Sequence, residues 1–346
     1  MDQVDTLLQG DRLALARTLT QIENDTPGSR RVLDELFRHA GNAHIIGVTG
    51  PTGSGKSTLV NQLALAFRHP TDGSEPARVA ILAVDPTSPF SGGAVLGDRV
   101  RMRDLSGDPG IFIRSAATRG TLGGLTLTAS EMITAMDAAG YDVIFVETVG
   151  VGQSEMEVAR LAHTVLLVEN PGFGDDIQAI KAGILEIASI IAINKADRPG
   201  VEQTELALRS MFELDPASLS SSHHAGDIDS GSVSNPKNKQ NWQVPLVRTV
   251  AVNGEGIQPL VTALRGHLAY LKDSGLWQSG QKTRLRRDLE VLIREVLFQT
   301  WVSRMNPLEY DQALDRLFNR TISPFHLAEE LIASDYAAKT PAIHLK

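Results

Sequence analysis

Residues Gly50-Pro51-Thr52-Gly53-Ser54-Gly55-Lys56-Ser57 follow the pattern G-x-x-x-x-G-K-[ST]. That string works only between a strand and a helix, and the flanking sequence supplies both. Residues 43–49 form a short apolar run rich in β-branched side chains, which predicts a buried parallel strand. Residues 56–67 place Leu59, Val60, Leu63, Ala64 and Phe67 at helical spacing. In such a loop Gly50, Gly53 and Gly55 permit backbone conformations that a Cβ hinders. Successive N–H groups then cradle phosphate oxygens, and the helix N-terminus adds partial positive charge. Lys56 is placed to reach the β- and γ-phosphates, and the Ser57 hydroxyl to ligate Mg2+. Thr58 continues the first helical turn beside them.

Residues 189–193 read as another buried strand, and Asn194-Lys195-Ala196-Asp197 follows at its C-terminal end. Open α/β sheets bind ligands at such ends. The Asp197 carboxylate can accept two hydrogen bonds, from the guanine ring N–H and its exocyclic amine. Adenine offers neither donor there, and a site built on such bonds rejects a base lacking them by about 10⁴ to 10⁵. Lys195 is expected along the base plane, with Asn194 tying this segment to the phosphate loop. Residues 249–251 offer a backbone N–H, that of Ala251, to the guanine oxygen. The two motifs together imply binding and hydrolysis of GTP.

Two acidic strand tips lie between them. Residues 78–84 form an apolar strand ending in Asp85, and residues 141–146 form another that runs into Glu147-Thr148-Val149-Gly150. Ordinary G proteins carry D-x-x-G at the second place; here Glu147 replaces the Asp. Either carboxylate can hold Mg2+ or one of its waters. Where many small G proteins place a water-orienting Gln, this chain has Val151, with Gln153 nearby but offset. Slow intrinsic hydrolysis follows. Arg99, Arg101, Arg103, Arg114 and Arg119 are candidates for stabilising charge in the transition state, with an ordinary solvated or phosphate-steering role the favoured reading of each.

Several longer strings resemble the MeaB/ArgK family. Residues 84–93 with 96–99 resemble its first switch, residues 147–155 its Glu-containing second switch, and residues 170–183 its additional switch segment. The likeness runs from Arg12 to the C-terminal helices. It implies a P-loop NTPase three-layer α/β fold with a mostly parallel sheet, and a GTP-hydrolysing chaperone of an adenosylcobalamin-dependent acyl-CoA mutase, chiefly methylmalonyl-CoA mutase. Such a chaperone gates cofactor loading and protects the mutase, binding no cobalamin itself. The resemblance also implies Lys56, Asp98 and Glu147 as the catalytic set and Ser57, Asp85, Asp98 and Glu147 around Mg2+. Gln153, Asp175, Gln178 and Lys181 would couple nucleotide state to the partner. Two rival readings stand beside it. A metal-delivery GTPase would need Cys or clustered His to carry its ion, and the chain has no Cys. An ATP-driven kinase or transport ATPase is opposed by Asp197.

The 346 residues carry a formal net charge of −8 and show no broad basic tract, which argues against nucleic acid as main partner. No apolar stretch is long enough to span a bilayer. The acidic start Met1-Asp2-Gln3-Val4-Asp5 lacks a signal-peptide apolar region, so a cytoplasmic protein is expected. The chain divides into an N-terminal helical extension (1–40), a nucleotide domain (41–273) and a helical C-terminal region (274–346). The sequence alone leaves open whether that last region folds back on the domain; the family likeness implies a homodimerisation arm instead. Helices are expected at 122–139, 202–212 and 257–271, and strands at 163–169 and 244–247. Arg284, Arg286 and Arg287 read as a solvated helix face. Residues 216–243 form a polar, Ser-rich insert, expected to be a mobile loop in which His223 and His224 are solvated.

Overall fold

Seven short apolar runs pair side by side in the computed structural model, which describes residues 3–86, 105, 107–118, 124–148, 154–172, 182–214 and 242–337. They are β1 (His44–Thr49), β2 (Val79–Pro86), β3 (Ile111–Thr118), β4 (Val143–Thr148), β5 (Thr164–Glu169), β6 (Ile190–Asn194) and β7 (Leu246–Thr249). Their order in the sheet is β3-β2-β4-β1-β5-β6-β7, and every neighbouring pair is parallel. Parallel strands are covered on both faces, which is why β1, β4, β5 and β6 are buried along their whole length rather than alternating. The register sets Val48 beside Glu147 and Thr49 beside Leu167. The phosphate loop therefore leaves the sheet next to the Glu147 tip. The P-loop NTPase three-layer fold expected from the sequence is the fold observed.

The helices close the two faces. On one lie α1 (Gln3–Leu8), α2 (Arg12–Glu23), α3 (Ser29–Leu36), α5 (Gly124–Ala138) and α6 (Ser154–Leu161). Leu7, Leu15, Leu19, Ile133, Met136 and Val158 pack there against Ile45, Ile144 and Val146. On the other lie α4 (Lys56–Arg68) and α9 (Ile257–Asp273), with Leu59, Leu63, Phe67, Leu260 and Leu264 against Ile46, Val48 and Phe145. A third apolar cluster joins α7 (Ala182–Ile187) and α8 (Val201–Leu214) to β5 and β6 through Ile184, Leu208, Leu167 and Ile191. At Gly47 the chain has no room for a side chain: a Cβ there would lie 2.9 Å from Ala162 Cβ and 3.0 Å from Val158 Cγ1. Glycine lets α6 settle directly on β1.

Three features differ from the sequence reading. Strand β3 was not expected: after Ile111-Phe112-Ile113 its residues turn small and polar, which suits a sheet edge. The first helical run breaks at Gly10 (φ +84°), not only at Pro27-Gly28, and Asp11 caps the second piece by accepting from Ala14 N at 2.7 Å. Trp242, placed by sequence inside the polar insert, is anchored: its Nε1 donates to Ser189 O at 2.8 Å and its ring packs on His267 and Tyr270. Residues 215–241 of the insert, with His223 and His224, lie outside the described residues.

The chain separates into two compact units, residues 1–286 and 287–346. The N-terminal helices fall within the first unit, and α10 (Leu276–Val302) contributes residues to both units. In the first unit, the N-terminal ends of the strands hold a buried polar cluster. Asp137 accepts the N–H groups of Gly41, Asn42 and Ala43. Trp277 stacks on His163 with centroids 3.9 Å apart, and Gln281 Nε2 donates to Gly41 O at 2.9 Å. Arg284, read from sequence as solvated, donates to Leu161 O at 3.1 Å and contacts His163 Nε2. The second unit contains the end of α10 with α11 (Pro307–Phe318) and α12 (Pro324–Ala337), clasped by Arg316 on Glu330 through two bonds of 3.0 Å. Only Ala313 and Leu327 are buried among its described apolar residues, while Leu289, Leu297, Phe298, Phe318 and Phe325 are exposed.

His44 is fully buried, bonded through Nε2 to Thr164 Oγ1 at 2.7 Å, and that hydroxyl meets His267 Nδ1 at 2.8 Å. Burial, aided by the Lys272 charge, lowers the His44 pKa from 6.5 to about 3. Burial and the Arg284 charge push His163 well down too. Between these two pKa values the unfolded chain binds the proton and the folded chain does not. The contribution of His44 is therefore held above pH 6.5 and lost as pH falls towards 3, by about 1.4 kcal/mol per pH unit. Urea unfolding at pH 7 and pH 5 should show a smaller acid loss in His44→Asn than in the parent, by about 2 kcal/mol. Equal losses would contradict the neutral buried state.

Candidate nucleotide site

The loop after β1 is shaped by two close approaches. Gly50 (φ +139°) lies so near β5 that a Cβ would come within 2.2 Å of Val168 O. Gly55 (φ +93°) lies so near β6 that a Cβ would come within 2.4 Å of Asn194 Nδ2. Both positions require glycine on space and on backbone angle. Between them Ser54 N turns back to Pro51 O at 3.2 Å. Lys56 opens α4 and is buried, with its Nζ donating to Gly50 O at 2.8 Å and Pro51 O at 3.0 Å. The ammonium is folded under the loop that its helix follows, with the positive helix terminus beside it. Thr52, Gly53 and Thr58 are exposed at the rim.

Ser57 Oγ donates to Glu147 Oε1 at 2.5 Å, and Glu147 is itself buried at the tip of β4. A hydroxyl and a carboxylate so placed are the hard oxygen donors that Mg2+ takes, so these residues fit that ion. Asp85 closes β2, the neighbour of β4, and its side chain lies outside the described residues. Asp98, Gln153, Asp175, Gln178 and Lys181 lie outside them as well, as do Arg99, Arg101, Arg103 and Arg119. Arg114 is described and corrects one expectation. It pairs with Glu23 of α2, both largely buried, so it is a structural cation rather than a candidate for transition-state charge. Among the described residues no group of three or more His, Asp or Glu is arranged to hold a metal ion.

The guanine motif is drawn onto the same loop. Asn194 Nδ2 donates to Ser54 O at 2.8 Å, while its Oδ1 accepts from Ala251 N at 3.1 Å and from Thr249 Oγ1 at 3.3 Å. One buried carboxamide thus joins the ends of β1, β6 and β7. Lys195 takes a left-handed backbone (φ +57°), and its Nζ donates to Gly53 O at 2.6 Å. Ala196 N bonds to Thr249 O at 3.0 Å, leaving Asp197 exposed at the outer end of the turn. The Ala251 N–H, expected on the guanine oxygen, is directed at Asn194.

Sequence reasoning passed over two buried polar side chains here. Thr49 and Thr148, the last residues of β1 and β4, are completely buried with hydroxyls that have no hydrogen-bond partner among the described residues. Their one visible signal was a polar residue ending an apolar run next to a motif.

Lys56→Ala removes a charged donor worth about 1.5–3 kcal/mol, so GTP affinity should fall roughly ten- to hundred-fold. Fluorescent-nucleotide titration checks this, and unchanged affinity would refute the assignment. In the same assay Asp197→Asn should lose most of its preference for guanosine over adenosine nucleotides; full selectivity in that variant would exclude Asp197 as the base reader.

The family described as methylmalonyl Co-A mutase-associated GTPase MeaB matches residues 15–306. A Pyrococcus horikoshii protein named as a putative GTPase is 39% identical over 326 residues, covering 94% of this chain and 95% of that protein. GTPase ArgK of Escherichia coli is 35% identical over 332 residues, covering 93% and 92%. The mitochondrial methylmalonic aciduria type A homolog of mouse is 31% identical over 341 residues, covering 94% and 77%. Among solved structures, a LAO/AO transport system kinase is similar with TM-score 0.64 and 28% identity, covering 97% of each chain.

Proposed function

Because the chain belongs to the MeaB family of P-loop GTPases, we propose that its GTP hydrolysis serves an adenosylcobalamin-dependent acyl-CoA mutase, methylmalonyl-CoA mutase first among candidates. In this reading the protein is a chaperone that gates loading of the mutase cofactor and protects the mutase, without binding cobalamin itself. The observation that carries the reading is the family match over residues 15–306, whose description names that mutase. The mouse relative named for methylmalonic aciduria supports it.

Within that function Lys56 and the loop N–H groups hold the phosphates, and Asp197 reads the base. Ser57 and Glu147 hold Mg2+, with Asp85 and Asp98 in the same set. Bound there, Mg2+ supplies positive charge to the phosphate oxygens. Lys56, under the loop, is oriented by the Gly50 and Pro51 carbonyls for the same charge. A slow intrinsic rate raised by the partner belongs to the same reading, since Val151 stands where many small G proteins carry a water-orienting Gln. Asp175, Gln178 and Lys181, with Gln153, carry nucleotide state to the mutase, as γ-phosphate contacts do in switch loops generally. The exposed apolar side chains of the second unit favour a homodimer, since such a surface is poorly suited to water. No described helix is long and apolar enough to cross a membrane, and the site of action in this reading is the cytoplasm.

Pull-downs of candidate mutases should succeed with this chain in a nucleotide-dependent way, differing between GDP and a non-hydrolysable GTP analogue. Failure to retain any adenosylcobalamin-dependent acyl-CoA mutase in either state would sink the proposal. Lys181→Ala should leave nucleotide affinity within about two-fold while abolishing stimulation by the mutase. A variant that merely binds GTP less well would place Lys181 in the pocket instead.

A further inference from the structure

Thr49 and Thr148 occupy positions where valine would fill the same space. Both have zero exposure, and both hydroxyls lack a partner among the described residues. Three other buried threonines among the described residues are bonded. Thr18 accepts from Gln3, Thr164 bridges His44 and His267, and Thr249 donates to Asn194. An unmade hydrogen bond at a buried hydroxyl costs the equivalent of roughly five- to hundred-fold in an equilibrium constant. Two such costs are carried side by side.

The register shows that they are neighbours. Val48 pairs with Glu147, so the next step along β1 and β4 brings Thr49 beside Thr148. Both continue the alternation of Ile45 and of Ile144 and Val146, so both face the side of the sheet covered by α6, away from α4. Val158 of α6 sits over Gly47. Four residues of helix span about 6 Å, and two residues of strand about 6.6 Å. The first turn of α6, which begins at Ser154, is therefore level with the two hydroxyls. The first N–H groups of any helix need acceptors from outside it. Thr148 also follows Glu147 directly, and Glu147 is bonded to the P-loop Ser57. A change at the γ-phosphate and its metal thus acts one residue away from this pair.

We propose that Thr49 and Thr148 are positioning residues that distinguish GTP from GDP. Their hydroxyls are hydrogen-bonded to the first turn of α6 when the triphosphate is held, and are without a partner when it is not. The orphaned arrangement is costly, so the bonds gained with GTP add to its affinity and set where α6 begins. The claim rests on GTP binding by this chain and is independent of which partner the chain serves.

The test uses the full chain with Thr148→Val, Thr49→Val and the corresponding Ser variants, measuring affinity for GDP and for a non-hydrolysable GTP analogue with Mg2+. Melting temperature without nucleotide is the second readout. Each Val variant should bind GDP within two-fold of the parent and the analogue at least five-fold more weakly. Each should melt at or above the parent temperature. Each Ser variant, keeping the hydroxyl, should retain the parent ratio of the two affinities. An unchanged ratio in the Val variants, or an equal loss for both nucleotides, would overturn the proposal. So would a Val variant that melts lower or fails to fold, since the hydroxyl would then be bonded in every state.

Discussion

One carboxamide holds the nucleotide site together. Asn194 gives its amide hydrogen to the phosphate loop at Ser54 and takes hydrogen bonds from Thr249 and Ala251 with its oxygen. Three loops that leave the sheet at β1, β6 and β7 thereby act as one surface. The geometry needs Gly55, because any Cβ there would collide with that amide. It also needs the parallel register, which delivers all three strand ends to the same edge. The phosphate loop and the Asn194–Asp197 turn are consequently set at fixed separation. Such pre-organisation is how a binding site avoids spending affinity on ordering its own loops.

The opposite edge of the same sheet solves a different problem. There β1 and β5 begin with His44, His163 and Thr164, polar groups driven into the interior by the helices around them. They stay neutral and exchange hydrogen bonds with one another, with backbone and with α9. The start of α10 closes this edge through Trp277, Gln281 and Arg284. A single strand, β1, thus has a satisfied polar cluster at its first residue and an unsatisfied hydroxyl at its last. That contrast is the physical reason for placing function at the second end rather than the first.

Much of this was legible in the residues. Six of the seven strands declare themselves as β-branched apolar runs, since a doubly covered sheet leaves no polar face to interrupt them. The glycine and lysine positions of the phosphate loop and the Asn194–Asp197 turn were legible because their chemistry tolerates few substitutes. What escaped depends on contacts far away in sequence. Arg114 finds Glu23, and Arg284 finds Leu161 and His163, partners 91 to 123 residues distant that no local pattern announces. Strand β3 escaped because an edge position permits polar residues that erase the apolar signal. Thr49 and Thr148 escaped because threonine ends a strand as commonly as it carries a role; only their lack of partners sets them apart.

The central claim is that this edge of the sheet recognises guanosine triphosphate as a unit. Calorimetric titration of the folded chain with GTP and with ATP, each with Mg2+, tests it most directly. The account predicts a GTP affinity exceeding that for ATP by roughly 10⁴-fold, as expected where a carboxylate reads donors that adenine lacks. Equal affinities, or no heat from guanosine nucleotides at millimolar concentration, would contradict it.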